Sequence, residues 1–514
     1  ASKMKPLFKD RKLTFNKNPE EKSVNNLSVK LFNMKQKRFK IQPCGVNTSF
    51  YFNILSLFFI CTTIFCHPSV MAQNVSENPN FILILTDDQG WTCSSQEMDN
   101  RYPDSKSDFF LTPNIERLAE KGMRFSRGYA PAAICSPSRR SIQFGQTPAR
   151  QGEIHFPENY NPNKKERLTI PCLLKNLNPD YRTAHYGKWD LRANIFPEDL
   201  GYDESDGDTG NKNGNMNSDK ITKWTTFFFN DDPKKMETIT RRATNFMKRQ
   251  VQSNNPFFLQ ISHYATHADI QTRPETFELF WKNNPGKNHG NPGFAAMLFD
   301  LDATIGIIMD EVKNLDIENN TYLIFMADNG AVELIPQTRD KMIPPSDYGR
   351  NRRNYPLRGG KWTLYEGGIR VPFIVTGPGI KAGTQSVIPV TGWDILPTLA
   401  DLAGNKAPLP ENLDGASFKN ILLNNGNGSV QRPNKSLVFH RYNNHYPHSA
   451  IISGDYKLIK HWKKGSLELY NLAEDLEETT NLISDFPQKA NELHEALMTY
   501  LRKVDAEILS SHYN

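Results

Sequence analysis

Cysteine is scarce in this chain, with six in 514 residues, at positions 44, 61, 66, 93, 135 and 172. That number excludes a small disulfide-framed fold and leaves stability to a buried core, which a chain of this length can readily form. Long apolar runs are lacking too. The apolar stretch from roughly Phe50 to Phe65 is short for a membrane span and is broken by Asn53 and Ser56. It follows a basic stretch opened by Met34, with Lys35, Lys37, Arg38 and Lys40, and it ends at Val70-Met71-Ala72. A basic region, an apolar core and a small residue before the cut predict a secretory signal over residues 34–72. The mature protein is therefore expected to be exported, periplasmic or secreted, with no stable membrane anchor. Residues 1–33 are Lys- and Asn-rich without apolar periodicity and read as an upstream leader outside the fold.

An excess of one charge is also missing. The whole chain carries a net +6, but residues 1–72 hold 12 of its 62 basic and 3 of its 56 acidic side chains. The remainder has 50 against 53, a net of −3. Nothing in that balance suits a nucleic-acid partner. Three cysteines leave with the same segment. The odd remainder, Cys93, Cys135 and Cys172, predicts one bridge and one special thiol, and sequence does not say whether Cys93 pairs with Cys172. No internal repeat is present.

The pattern of what is there is α/β. Phe81–Leu85, Arg182–Tyr186, Pro256–Ile261, Thr321–Met326 and Val371–Val375 read as buried strands. Thr112–Gly122, Lys235–Gln252, Ala295–Leu315 and Ile395–Leu402 read as helices between them, with Asp302, Asp310 and Glu311 on the polar face of the third. Alternation of this kind predicts a largely parallel central sheet flanked by helices, over residues 73–432. From 433 to 514 the pattern changes to short strands at Ser436–His440, Ser449–Ile452, Tyr456–Lys460 and Leu467–Tyr470, then a helix over Gln488–Ile508. That predicts a smaller antiparallel subdomain. Gly201–Lys220 and Gln337–Tyr355 are polar loops long enough for a binding role.

Cys135-Ser-Pro-Ser-Arg139 stands out among these segments. Pro137 suits a first helical turn, which places Cys135 at or just before a helix N-terminus, in a positive field reinforced by Arg139. By itself this reads as a thiol poised for nucleophilic or redox chemistry. Polar groups also follow the strands, where open α/β sheets place their sites. Asp87-Asp88 and Asp328-Asn329 supply three carboxylates and an amide oxygen. That set suits a hard cation, Ca²⁺ or Mg²⁺, rather than zinc. Lys188 follows a strand and a glycine, and Lys361 lies within Arg358-Gly-Gly-Lys-Trp-Thr-Leu-Tyr-Glu-Gly-Gly368, whose four glycines allow close backbone approach. With Arg139 and the metal they would form a positive pocket for a tetrahedral oxyanion. His267 can serve as general acid, with His263 a close rival.

Taken together, these segments resemble the sulfatase family. Cys135-Ser-Pro-Ser-Arg139 matches its C-x-P-S-R signature, Gly187-Lys-Trp189 resembles its second signature, and Asp87, Asp88, Asp328 and Asn329 match its metal ligands. Gly360-Lys361 with Tyr365-Glu-Gly-Gly368 resembles a further lysine motif, and the likeness extends through Gly454-Asp-Tyr-Lys457 and Leu469-Tyr-Asn471. The resemblance implies an alkaline-phosphatase-like fold and a maturation enzyme that converts Cys135 to formylglycine. The hydrate of that residue would be the nucleophile and, with the four aspartate and asparagine ligands, part of the metal site. Arg139 and Lys188 would then orient the hydrate, Lys361 would bind sulfate oxygens, and His267 would protonate the leaving alcohol. The resulting covalent sulfate ester would collapse to regenerate the aldehyde. The family usually has histidine where this chain has Asp190, so Asp190 is expected to hold the proton-relay position as a weaker base, with His185 a substitute of unknown distance.

The implied activity is hydrolysis of sulfate monoesters on a sulfated carbohydrate. The alternatives are a phosphodiester or phosphonate monoester hydrolase of the same superfamily, and an inactive carbohydrate-binding relative. Arg352, Arg353, His440, Arg441, His445 and His448 fall in segments that could line a pocket mouth for acidic sugars.

Overall fold

The computed structural model describes residues 78–152, 167–192, 194–215, 227–332, 353–442 and 446–508, which lie within one compact unit. The leader, the signal segment, most of the Gln337–Tyr355 loop, Arg352 and His445 fall outside them.

The central sheet has eight strands: β1 (Asn80–Thr86), β2 (Met123–Phe125), β3 (Arg182–Gly187), β4 (Glu204–Ser205), β5 (Phe257–Ser262), β6 (Thr321–Ala327), β7 (Phe373–Thr376) and β8 (Thr384–Ser386). Their order across the sheet is β8-β2-β7-β6-β1-β5-β3-β4. From β6 to β4 all neighbours are parallel. Every residue of β1 is buried, and its alternate side chains feed two separate cores. Ile82 and Ile84 pack with α3 (Met236–Gln252) and α4 (Pro292–Asn314) on one face. Phe81, Leu83 and Leu85 pack with α5 (Ile395–Leu402) on the other. A strand with no solvent face must be apolar on both sides, which is why β1 reads as a continuous run. Each such side chain contributes about 1.5–3 kcal/mol on burial.

The sheet is largely parallel, as the alternation predicts, and the exception is β7, which runs antiparallel to β6 and β2. The reason lies in the connection. β6 ends at Ala327 and β7 begins beside it, Phe373 opposite Met326. The chain between them, including Lys361, therefore starts and finishes at the carboxyl edge of the sheet, where Asp87 and Asp88 also emerge.

Three expectations are corrected. Asp302, assigned to the polar face of α4, is buried and accepts hydrogen bonds from the Asn114 and Ile115 amides at 2.9 and 2.8 Å. It caps α1 (Pro113–Lys121), whose own N-cap residue Thr112 makes no side-chain cap. The final helix, α6 (Pro487–Lys503), stops short of Ile508, because Asp505 turns left-handed at φ 52°. No disulfide forms among the described residues. Cys93, Cys135 and Cys172 are all free thiols, and Cys93 and Cys172 face the carbonyls of Arg353 and Leu200.

The C-terminal strands β9 (Leu437–Arg441), β10 (His448–Ser453), β11 (Tyr456–His461) and β12 (Ser466–Asn471) form an antiparallel meander. One face of this sheet packs Val438, Ile451, Leu458 and Leu469 against Leu493, Leu497 and Leu501 of α6. The other packs Phe439, Ala450, Ile452 and Ile459 against Leu364, Tyr365 and Ile369. The small sheet is thus the floor on which the Lys361 loop rests. α4 is long and apolar enough to cross a membrane, but 83% of its apolar window is buried here, as befits a core helix.

Candidate active site

Asp87 and Asp88 leave the end of β1, and Asp328 and Asn329 leave the end of its neighbour β6. Parallel in-register pairing, Thr86 opposite Ala327, brings the two corners together. Asp88 takes a left-handed backbone, φ 59°, and its amide donates to Asp328 Oδ1 at 3.2 Å. Cys135 opens the helix α2 (Cys135–Phe144), as its sequence context predicts, and the helix is buried throughout. Oxygen or sulfur atoms of Asp87, Asp88, Cys135 and Asp328 lie within 4.8 Å of one another.

Each cation of the site is held by one of these carboxylates. Lys188 Nζ donates to Asp87 Oδ2 at 2.6 Å, Lys361 Nζ to Asp88 Oδ1 at 2.6 Å, and Arg139 Nε to Asp328 Oδ2 at 2.8 Å. Arg139 also donates to the Lys188 carbonyl at 2.5 Å, tying the two basic elements together. Glycines permit this packing. A Cβ on Gly187, just before Lys188, would collide with the Ser262 carbonyl, and one on Gly330 would collide with the Gly367 carbonyl of the Lys361 loop.

The electrostatics follow from full burial of opposite charges. Burial disfavours the ionised form of Asp87, but Lys188, His267 and Arg139 outweigh it and hold the carboxyl well below its usual range. Asp328 is pushed up to about 7, by burial and then by repulsion from Asp87. One carboxylate of a crowded set resisting ionisation is the mark of a site short of positive charge. Asn329 gives a second sign. Its Nδ2 donates to Asp88 Oδ1 at 2.7 Å, while its Oδ1 is buried with no hydrogen-bond partner. An orphaned amide oxygen beside three carboxylates fits a hard divalent cation. Asp87, Asp88, Asp328 and Asn329 would hold it. A Ca²⁺ titration is expected to raise the melting temperature, by about 2.7 kcal/mol of stability at a hundredfold excess over Kd. Asp328→Asn should abolish that shift.

Cys135 Sγ donates to Asp87 Oδ1 at 3.2 Å and lies 3.4 Å from Lys361 Nζ. Burial raises its pKa well above the ordinary thiol value, and Asp328 and Asp87 raise it further against the pull of Lys188 and Lys361. Burial and these two carboxylates thus oppose the activated thiol that the helix N-terminus suggests.

The remaining predicted residues separate cleanly. Asp190 is buried, φ 51°, with Oδ2 accepting from Ser136 Oγ at 3.2 Å and lying 3.6 Å from Lys188 Nζ. Burial opposes its ionisation, but Lys188, Arg192 and Arg139 prevail and lower its pKa. His267 Nε2 lies 3.8 Å from Asp88 Oδ2, and its Nδ1 is 2.7 Å from the Ala268 carbonyl. Burial and then Lys361 push its pKa down to about 3, so it is neutral before a substrate enters. Its rival His263 faces Thr304 of α4, away from the site. His185 bonds Ser262 Oγ and packs edge-on to Trp189 and Tyr202, so it is no substitute for Asp190.

The pocket-mouth assignments of Arg353, His440, Arg441 and His448 are corrected, since all four are buried. Arg353 stacks over Phe294, 4.7 Å from the ring centre. Arg441 and His448 pair across the β9–β10 hairpin. His448 Nε2 accepts from the Leu364 amide at 2.9 Å and its Nδ1 faces the Tyr446 carbonyl at 2.8 Å, which leaves no ring nitrogen for a ligand. His440 likewise spends its nitrogens on Ser449 and the Glu507 carbonyl.

Two features have no clear mark in the sequence. One is the burial of Lys234. The other is the buried ion-pair network that anchors the Lys361 loop. Lys457 of β11 bridges Glu366 Oε1 at 2.9 Å and Glu478 Oε1 at 2.8 Å. Arg370 and Tyr129 close on the other oxygen of Glu366.

Residues 79–405 match the sulfatase family, and residues 360–507 match the N-sulphoglucosamine sulphohydrolase C-terminal family. The chain belongs to the sulfatase family. It is a sulfuric ester hydrolase with an alkaline-phosphatase-like fold. A sulfatase of Formosa agariphila is 27% identical over 81% of this chain and 86% of its own length. The mouse N-acetylgalactosamine-6-sulfatase is 28% identical, over 76% of this chain and 73% of its own. Among solved structures, that of Ps i-CgsB superposes with a TM-score of 0.66 and 25% identity, covering 82% of this chain and 93% of that one. The same protein has been solved in complex with k-i-k-neocarrahexaose.

Proposed function

We propose that this sulfatase is an exported enzyme that removes sulfate from carbohydrates, using a Cys135 matured to formylglycine by a dedicated enzyme. The observation that carries the proposal is the placement of Cys135. Its side chain lies against Asp87 and Lys361 in an oxygen-donor cluster, and its environment suppresses the thiolate. A soft thiolate is a poor partner for a hard cation, whereas the gem-diol of hydrated formylglycine is a good one and supplies an oxygen nucleophile for sulfur. Names borne by similar proteins, an N-acetylgalactosamine-6-sulfatase and a structure holding a carrageenan oligosaccharide, support a sulfated sugar as the substrate class. Sulfate release from a panel of sulfated polysaccharides and oligosaccharides tests it. Sulfate esters should be cleaved in preference to 4-nitrophenyl phosphate and phosphonate esters.

The chain's own residues divide the work by position. Lys361, nearest Cys135, is placed to bind sulfate oxygens, while Lys188 and Arg139 hold Asp87 and Asp328 and orient the nucleophilic residue. Four carboxylates, Asp190 included, face the three permanent cations Arg139, Lys188 and Lys361, so a bound divalent cation tips the pocket net positive and suits it to an anionic ester. The bound cation would polarise the oxygens of the ester and neutralise charge that develops on them.

Asp190 accepts from the Oγ of Ser136, the residue next to Cys135, and lies 3.6 Å from Lys188 Nζ, which supports a proton-relay role at this edge of the site. Being ionised across the neutral range, it can take a proton there. Asp190→Asn is expected to lower kcat about 10²-fold. Because the carboxyl's pKa is depressed, the wild-type rate should hold as pH falls to its ordinary range and drop only below it. The variant should lack that acidic limb. A pH–rate series on both proteins checks this, and unchanged turnover would remove Asp190 from the mechanism.

His267 is neutral in the empty site, and entry of an anionic sulfate beside it raises its proton affinity. As the acid for a leaving alcohol, it matters only when the leaving group is poor. His267→Ala is expected to cost about 10²-fold or more in kcat on a sugar sulfate. The loss on 4-nitrophenyl sulfate, whose phenolate leaves unaided, should be much smaller. Equal losses on both would assign His267 a structural role.

A further inference from the structure

Trp362 holds a backbone conformation that its residue type disfavours. It is left-handed at φ 75°, a region that glycine enters freely and a bulky side chain occupies only at a cost. The loop around it does not want for glycine, with Gly359, Gly360, Gly367 and Gly368 close by. Leu364 and Tyr365 turn into the core beneath the small sheet, whereas Trp362 stays half-buried. Strain of this kind, at a large side chain that the core does not swallow, points to a task at the site.

Hydrogen bonds pin the loop so that this residue stands beside the nucleophile. The Trp362 amide donates at 2.8 Å to the carbonyl of Ala133, just upstream of Cys135. The Lys361 amide donates at 2.9 Å to the carbonyl of Ala331, just downstream of Asn329. Thr363 closes the turn, its amide donating to the Gly360 carbonyl at 2.9 Å and its Oγ1 accepting from the Gly360 amide at 3.1 Å. Lys361 Nζ lies 3.4 Å from Cys135 Sγ, and the Trp362 ring centre lies 5.8 Å from the same Nζ. The indole is not needed to hold that ammonium, which already donates to both oxygens of Asp88, at 2.6 and 2.8 Å. A separation of about 6 Å is also the outer limit of cation–π attraction.

We propose that Trp362 is a specificity residue whose indole stacks on the sugar ring that carries the scissile sulfate. This inference rests on the sulfatase reading and deepens it, since the substrate is then a pyranose that offers a face of C–H groups next to its ester. When a sulfate is bound at Lys361, the ester-bearing carbon of its sugar is only one oxygen away from sulfur. The ring that follows comes within reach of the indole. The electron-rich face of an aromatic ring attracts the weakly positive C–H groups of a sugar, and it screens them from water. A rigid indole on a backbone that is already fixed does this at little ordering cost.

Kinetics of mature, Ca²⁺-loaded enzyme test it, with N-acetylgalactosamine 6-sulfate or, in its place, the best-cleaved sugar monosulfate of the release panel. Trp362→Ala should raise KM about tenfold or more and leave kcat within about threefold, the pattern of lost uniform binding. Inorganic sulfate, which carries no sugar, serves as a competitive inhibitor, and its Ki should change by less than about threefold. Trp362→Phe keeps an aromatic face and should hold KM within about threefold of wild type. Trp362→Asn, whose side chain tolerates a left-handed backbone, serves as a second ring-free variant and should behave as Trp362→Ala does. An unchanged KM in the ring-free variants, or a loss confined to kcat, overturns the proposal. An equal rise in KM and in the sulfate Ki also overturns it, because Trp362 would then only support Lys361. A Trp362→Phe protein as impaired as Trp362→Ala does the same. Failure of the sulfatase reading shows separately, as absence of sulfate release by the wild-type enzyme.

Discussion

Cys135→Ala is expected to lower sulfate-ester turnover by on the order of 10⁴-fold or more, because no other described side chain in the site can replace a covalent nucleophile. The fold should remain. The side chain lost is small, its polar contacts are Asp87, Asp88 and Lys361, and α2 keeps its packing and its left-handed Gly145 terminus. A cost of about 1 kcal/mol in stability is the scale for such a change. The Ca²⁺-induced rise in melting temperature should survive, since Asp87, Asp88, Asp328 and Asn329 are untouched. Kinetics and thermal melts on one preparation separate these effects. If activity and metal response fall together with stability, Cys135 is a core residue rather than a nucleophile precursor.

Lys457→Met is expected to produce the largest loss of stability of any single substitution considered. Lys457, Glu366 and Glu478 are fully buried, and the ammonium is shared by the two carboxylates. Glu366 is held down to about 2, because Lys457 and Arg370 outweigh the burial that would raise it. Removing the lysine leaves two buried carboxylates facing each other, a change that costs about 3–5 kcal/mol. That is a large fraction of the stability of a typical domain. The network also fixes function. Glu366 follows the Lys361 loop, and its amide donates to Glu478 Oε2 at 2.6 Å. Variant protein that still folds should therefore show a raised KM for sulfate esters, from a loosened Lys361. Denaturant midpoints and KM measured together check this. A variant with wild-type stability would show that the C-terminal sheet does not brace the site.

Much of this architecture is legible in the residues. Runs such as Phe81–Leu85 and Thr321–Met326 can only be strands buried on both faces, and their ends deliver Asp87, Asp88, Asp328 and Asn329 to one edge. Cys135 is placed at a helix start by Pro137 alone. The reversed strand β7 is not legible, because direction depends on where a long connection returns. Local pattern likewise cannot tell a solvated cation from a buried one. Arg353, Arg441 and His448 read as rim residues and prove to be internal. Lys457 carries no local sign of burial and proves to be buried, because Glu366 and Glu478, which surround it, come from other parts of the chain.

The central claim is that Cys135 is a precursor and not the working nucleophile. Mass spectrometry of the peptide spanning Cys135, from protein with full sulfatase activity, tests it directly. The peptide is expected to carry 3-oxoalanine at position 135 and to resist thiol alkylation. An unmodified, alkylatable Cys135 in fully active enzyme would contradict the account.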